Sequence, residues 1–304
     1  PTVIAMEACA TANFWGRKML AAGHTVRLIP AQHVKAFCRV HKNDRGDALA
    51  ILEAAQRPKM HFVAVKTIAQ QDLQLLLRIH ERLIAQRTEL CNQLRGLASE
   101  YGVYFPPSRS GLISKATEVI DSSGAALSPV ARAALRDVLN ELRGSDQRVD
   151  QTARQIAEVG AQDPAYERLQ TVPGFGPIVA AKFLAAVGKG EQFERGRNVS
   201  AWLGLVPKQV GTGGKVALQH ITKNGDRGVR TALIHGARAV VRWAHRGKDA
   251  KSQWICDLAA RRGRARTIVA LANKLARIGW AVARGETEYT AERAFRPKRE
   301  KAAA

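Results

Sequence analysis

Three carboxylates are spaced as if they could do chemistry together. Asp44 and Asp47 fall in Lys42-Asn43-Asp44-Arg45-Gly46-Asp47-Ala48, at the start of a predicted helix from about Asn43 to Gln56. Three positions apart, they share a helix face. Two close carboxylates facing one point can hold Mg²⁺. Acids in a first helical turn also simply complement the helix dipole, and the spacing alone leaves both readings open. Glu7 follows the apolar run Thr2–Met6, which reads as a buried strand. It therefore sits at a strand's C-terminal end, where open parallel sheets collect their ligands. A strand-end carboxylate with two more on a helix can form a two-metal phosphoryl-transfer site. A solvated acid is the plainer alternative for Glu7.

A second group of residues is suited to phosphate. Thr171-Val172-Pro173-Gly174-Phe175-Gly176-Pro177 leads into a helix over Ile178–Val187 that carries Lys182. Gly174 and Gly176 turn the chain into a helix N-terminus, whose free amides can grip a DNA or RNA phosphate without reading bases. The pattern is half of a helix-hairpin-helix element, or else a plain helix–helix turn. Gly211-Thr212-Gly213-Gly214-Lys215 reads as a flexible loop after Pro207, with a β-turn as the alternative, and it lacks the spacing of a Walker P-loop. Lys215, Lys223, Arg227, Arg230 and Arg238 make a basic stretch suited to phosphate contact. Trp202, Trp243 and Trp280 lie in apolar helical context and read as core residues. The eight histidines show no metal-ligand spacing, and the four cysteines form no C-x-x-C pair.

The elements that must position these groups follow from charge and periodicity. The 304 residues carry 48 Lys and Arg against 26 Asp and Glu, a net charge of +22. That excess implies a polyanionic partner, nucleic acid or a membrane surface. It is concentrated from Arg195 onward, where 24 basic residues face 7 acidic ones. With 46% hydrophobic residues the chain can build cores, and no apolar run is long enough to span a membrane. The apolar runs Thr2–Met6 and Thr25–Ile29, joined by a helix over Asn13–Ala22 that ends at Gly23-His24, predict a βαβ unit with parallel strands. Phe62–Val65 adds a short extended run. Residues 70–98 carry a heptad-like seam of Leu73, Leu76, His80, Leu83, Arg87, Leu90, Leu94 and Leu97. Residues 130–160 repeat it with Leu135, Val138, Leu142, Ser145, Val149, Thr152, Ile156 and Val159. Such spacing predicts two long helices packed as a coiled coil. An antiparallel hairpin is the simplest topology, with an intermolecular coiled coil as the alternative, and Tyr101–Pro129 reads as a loop holding one short helix. Residues 166–290 read as mainly helical, with breaks at Pro173–Pro177, Gly188–Gly196, Pro207–Lys215 and Asn224–Gly228. The chain after Tyr289 reads as a frayed basic tail.

The ordered set of motifs resembles a known family. It comprises Met6-Glu7-Ala8, Val26-Arg27-Leu28-Ile29-Pro30, Lys42 to Ala48, Gln56-Arg57-Pro58, Val172 to Pro177, Trp202-Leu203-Gly204-Leu205-Val206-Pro207, Ile234-His235-Gly236-Ala237-Arg238 and Ala270-Leu271-Ala272-Asn273-Lys274. The set resembles the DEDD insertion-sequence transposases, including bridge-RNA-guided recombinases. The resemblance implies an α/β plus all-α chain. Residues 1–66 would be a partial RuvC-like, RNase H-type domain, from a sheet of about five strands. Residues 67–165 would be a coiled-coil insertion that supports a homodimer or higher oligomer. Residues 166–290 would be a transposase domain, and 291–304 a tail.

The resemblance also implies chemistry. Four acids coordinate Mg²⁺, and a serine attacks DNA to leave a phosphoserine intermediate. The element's own structured guide RNA pairs with donor and target DNA, in the cytoplasm of a prokaryote and at its nucleoid. Glu7, Asp44 and Asp47 match the second to fourth acids. The first falls on a strand before Pro1, so missing N-terminal sequence is expected. The serine falls in the Gly211-Thr212-Gly213-Gly214 run, where Thr212 is the available hydroxyl. Asn224 and Gly228 stand where a basic and an aromatic residue are usual. These departures imply an impaired transposase. The alternatives are a non-catalytic nucleic-acid-binding remnant and a RuvC-type junction nuclease using water.

Overall fold

The computed structural model describes residues 1–38, 43–58, 60–122, 127–285 and 288–295. The opening apolar run forms β1 (Val3–Glu7), and α1 (Ala12–Ala21) carries the chain back to β2 (Thr25–Ile29). The strands pair in parallel, with Val3 opposite Thr25 and Glu7 opposite Ile29. This is the predicted βαβ unit. The extended run at 62–65 contributes one antiparallel bridge, Val63 to Leu28, and among the described residues the sheet has two strands. After Pro30 comes a short turn of helix, α2 (Ala31–Val34), which the sequence did not signal. The longer α3 (Asp44–Ala55) then packs on both strands. The Asn43 side chain caps this helix by accepting from the Gly46 amide at 2.7 Å. Lys42 lies outside the described residues. Ile29, Val34, Ala50 and Ala54 form the small core of this unit.

Two helices of 32 residues each, α4 (Ile68–Ser99) and α6 (Pro129–Gly160), dominate the middle of the chain. Thr67 and Gln70 cap α4 reciprocally. The helices run antiparallel along each other: Leu73 and Leu77 share a core with Ile156, while Leu94 and Ala98 share one with Ala131 and Leu135. The buried positions follow the expected seam at Leu73, Leu83, Leu90, Leu94, Leu135, Leu142, Ser145, Val149, Thr152 and Ile156. Leu97 is exposed instead, and Leu77 and Leu139 take up burial that the heptad reading missed. The connection holds more structure than expected. A 13-residue helix, α5 (Arg109–Asp121), closes the far end of the pair with Leu112, Ala116 and Ile120.

The C-terminal part opens with α7 (Pro164–Gln170), α8 (Pro177–Val187) and α9 (Gly196–Trp202). A hairpin of β3 (Pro207–Thr212) and β4 (Lys215–Ile221) follows. Then come α10 (Arg227–Trp243), α11 (Ala250–Arg262), α12 (Arg264–Ala283) and α13 (Ala291–Ala294). The helices surround one core that includes Phe175, Phe183, Leu233 and Leu271, and Leu73, Leu77 and Ile156 belong to it. The base of the long helices is thus packed into this core. Glu81 on α4 and Lys182 on α8 add an ion pair at 2.5 Å.

Two expectations for this part are corrected. The glycine-rich segment around Thr212 is not a flexible loop but the tip of an antiparallel hairpin, with Thr212 paired to Lys215. Gly213 and Gly214 both take positive φ, 55° and 77°, which is what a two-residue hairpin turn of the mirror-image type demands. The chain after Tyr289 is not frayed through its first residues either. Phe295 is 3% exposed and packs edge-on against Trp254, with the Lys274 ammonium 4.2 Å from its ring centre. Residues 296–304 of that expected tail lie outside the described residues. Among the described residues no helix is long and apolar enough to cross a membrane.

Candidate nucleic-acid interface and carboxylate site

The carboxylates come from two elements of the βαβ unit. Glu7 ends β1 half-buried, and Asp44 and Asp47 occupy the first turn of α3, which packs on β1. Asp44 is exposed and Asp47 half-buried. Both lie in the first turn of the helix, the placement that complements its dipole. Among the described residues, no group of three or more His, Cys, Asp or Glu side chains is close enough to hold a metal ion. Glu7, Asp44 and Asp47 therefore do not by themselves make a finished metal centre.

The glycines before α8 do a structural task. Gly174 takes φ 98°, and its backbone lies against Gly236 of α10 so closely that a Cβ on Gly236 would come 2.1 Å from the Gly174 carbonyl oxygen. Between the glycines, Phe175 is buried against Phe183, ring centres 5.5 Å apart. Gly176, by contrast, is exposed, with open space where a Cβ would stand, and it leads directly into α8. The turn is thus a packed helix–helix joint whose outer rim stays accessible. Lys182, nominated for phosphate, is only 16% exposed and its ammonium is held by Glu81.

The basic residues around α10 divide into two kinds. Lys215, Lys223, Arg227 and Arg238 are exposed. Arg230 is 8% exposed and points inward: its guanidinium donates to the carbonyls of Leu203 at 3.0 Å and Asn224 at 2.7 Å. The phosphate contact suggested by charge pattern is corrected at this position, because the side chain ties the loop before β3 to the start of α10. The exposed face of α10 carries Arg227, His235, Arg238 and Arg242 at near-helical spacing. Trp243 extends it. The sequence placed Trp243 in the core, but it is 49% exposed, with Arg246 at 4.3 Å and Arg242 at 5.3 Å from its ring centre. Sequence reasoning missed Arg242 and Arg246. Their four-residue spacing around an aromatic was the available signal. Trp202 and Trp280 are half-buried, Trp202 packing on Phe193 and Trp280 donating to the Gly190 carbonyl at 3.0 Å.

Thr212 stands beside this face in sequence, at the tip of a hairpin exposed almost throughout. Val216 and Leu218 are among its solvent-facing side chains, Leu218 70% exposed. Ser200, the other hydroxyl nearby in sequence, is buried and donates to the Arg197 carbonyl, which removes it as a nucleophile. A two-stranded ribbon with both faces free is of a size to enter a nucleic-acid groove.

Two family models match the chain. One described as a transposase of the DEDD type covers residues 1–103, and one described as "Transposase IS116/IS110/IS902 family" covers 166–252. A protein of Pseudomonas aeruginosa named "Probable family 20 transposase" is 43% identical over 95% of this chain and 86% of its own length. The transposase for insertion sequence element IS1111A of Coxiella burnetii is 40% identical over 94% of this chain and 79% of its own. The transposase for IS1328 of Yersinia enterocolitica is 33% identical over 95% and 86% respectively. With matches of this extent, laid over the βαβ unit and the helical C-terminal part alike, the chain belongs to the IS110-type family of insertion-sequence transposases.

Proposed function

We propose that this transposase holds DNA on the exposed face of α10 and on the β3–β4 hairpin, with Thr212 the hydroxyl presented for strand attack. The observation that carries the reading is the row of exposed arginines on α10 ending at Trp243; a free hairpin with a hydroxyl at its tip precedes this helix in the chain. Glu7, Asp44 and Asp47 are the residues that would hold Mg²⁺. Among the described residues they do not gather into a finished metal-holding set. A RuvC-like arrangement of residues 1–66, a structured guide RNA pairing with donor and target DNA, oligomerisation through α4 and α6, and action at the nucleoid all belong to the same reading.

A second reading, a nucleic-acid-binding remnant without catalysis, is favoured by two observations. Threonine stands where the family resemblance calls for serine, and the described carboxylates do not gather into a metal-holding group. One experiment separates the readings. The chain is incubated with Mg²⁺, its element-encoded RNA and element-end DNA, then denatured and resolved for a covalent protein–DNA adduct. Tight binding without adduct, in the unmodified chain and in a Thr212→Ser variant, supports the remnant. An adduct mapped to residue 212 supports catalysis. Failure to bind DNA at all defeats both.

A further inference from the structure

A second cluster of cations lies in a cleft of about 420 Å³ between the start of α9 and the last turns of α12, lined by Arg195, Arg197, Arg277 and Trp280. Its walls are closely fitted. Gly196 presses on α12, where an added Cβ would lie 3.3 Å from the Arg277 carbonyl oxygen and from the Trp280 ring. The loop before it is fastened by the Trp280 indole, which donates to the Gly190 carbonyl at 3.0 Å. Arg284 lies with its guanidinium 5.0 Å from the Trp280 ring centre, so one more cation adjoins the cleft.

Arg195, Arg197 and Arg277 are exposed, and among the described residues none of their side chains has a carboxylate or hydrogen-bond partner. Glu191 and Glu194, on the same loop, make no ion pair with them. Three guanidiniums lining one cleft with no counter-charge among the described residues repel one another, and the arrangement is relieved when an anion enters. Guanidinium is also the cation best shaped to take phosphate oxygens in pairs. The indole, engaged by Gly190, Gly196 and Arg284, is already packed and is not a platform for a base. That favours recognition of backbone phosphate over recognition of a nucleobase.

We infer that Arg195, Arg197 and Arg277 form a nucleic-acid phosphodiester site separate from the α10 face. The chain then grips a polyanion at two places, and the proposal rests on the reading of this chain as a nucleic-acid-binding transposase. The test uses the full chain and fluorescence anisotropy across a salt series. Two probes are used, a labelled duplex DNA and a labelled RNA hairpin. In the triple variant Arg195→Gln/Arg197→Gln/Arg277→Gln, affinity for at least one probe should fall about tenfold or more. On duplex DNA the salt slope should shrink by about 0.9 for each phosphate that is no longer neutralised. Weakening confined to DNA or to RNA names the strand that occupies the cleft. Unchanged affinity and slope for both probes overturn the proposal. The single variant Arg277→Gln, on an exposed side chain, gives the same answer on a smaller scale if the triple variant does not fold. A parallel variant, Arg238→Gln/Arg242→Gln, tests the α10 face alone. If it binds normally while the cleft variant does not, the α10 interface fails and the cleft stands. The reverse result removes the cleft and leaves the interface.

Discussion

Arg230 and Arg238 are eight positions apart on α10, both arginines in a basic stretch, and they have opposite tasks. Arg230→Ala leaves the Leu203 and Asn224 carbonyls without their charged donor, a cost of about 1.5–3 kcal/mol for hydrogen bonds of this type. The midpoint of chemical denaturation should fall accordingly, while DNA affinity of the folded fraction is kept. Arg238→Gln should do the reverse, with an unchanged midpoint and weaker binding. His80 allows a test by pH. Burial, and after it the Lys182 ammonium, holds its pKa below the ordinary histidine value of 6.5. The unfolded chain therefore takes up the proton first, and stability falls as pH drops below about 6.5 toward the lower folded value. A His80→Gln variant should flatten the fall of the denaturation midpoint as pH drops below about 6.5. An undiminished slope in the variant would show that the proton is taken elsewhere. In the sequence, His80 was visible only as an odd residue in a leucine seam. Nothing there revealed that Lys182, about a hundred positions on, would face it, because that pairing comes from helix packing.

The β3–β4 hairpin reads in the sequence as a flexible loop, with a turn as the alternative, because its strands carry no recognisable pattern. Gly213-Gly214 is a strong turn signal, yet strands are recognised by alternation of a buried and an exposed face. This ribbon has no buried face, so Pro207–Ile221 offered no alternation to find. The long helices were legible for the opposite reason, since each buries one stripe, and their ends carry Thr67 and Ser128 caps. The hairpin also discriminates between two ways of supplying a serine. At Gly211 a new Cβ would lie 3.0 Å from the Lys215 carbonyl oxygen, so Gly211→Ser pushes on the opposite strand. Thr212→Ser only removes a methyl from an exposed side chain. If the hairpin tip is the site of attack, any covalent DNA adduct should increase in Thr212→Ser and not in Gly211→Ser, as read on a denaturing gel. At α10, Gly236→Ala should cost more than an ordinary helical substitution, because its Cβ meets the Gly174 backbone and not a movable side chain. Thermal unfolding of that variant, compared with Ala239→Gly on the exposed face, measures the difference.

Across the molecule, cohesion is uneven. The βαβ unit has one core cluster of four buried residues and, among the described residues, a two-stranded sheet, while the C-terminal core draws on α7 to α12 and the base of the long helices. Amide exchange should be faster over residues 1–38 than over 166–285, and equal strong protection would contradict that expectation. A boundary at 166, natural from the sequence, removes Leu73, Leu77 and Ile156 from the C-terminal core. A fragment 67–295 should therefore unfold cooperatively, and a fragment 166–304 should melt lower and bind the dye ANS. The sequence could not reveal this shared core, because periodicity says which face of a helix is buried and not what covers it. The two cores along α4 and α6 have a further consequence. A helix of 32 residues is about 48 Å long, so a rotation of about 10° at its base carries the far tip by about 8 Å. The base is seated beside α8, whose neighbours carry the basic faces, and the tip is braced separately by α5. The helical pair is geometrically a long arm, on which a small rotation at the base amounts to a displacement of several ångströms at the opposite end.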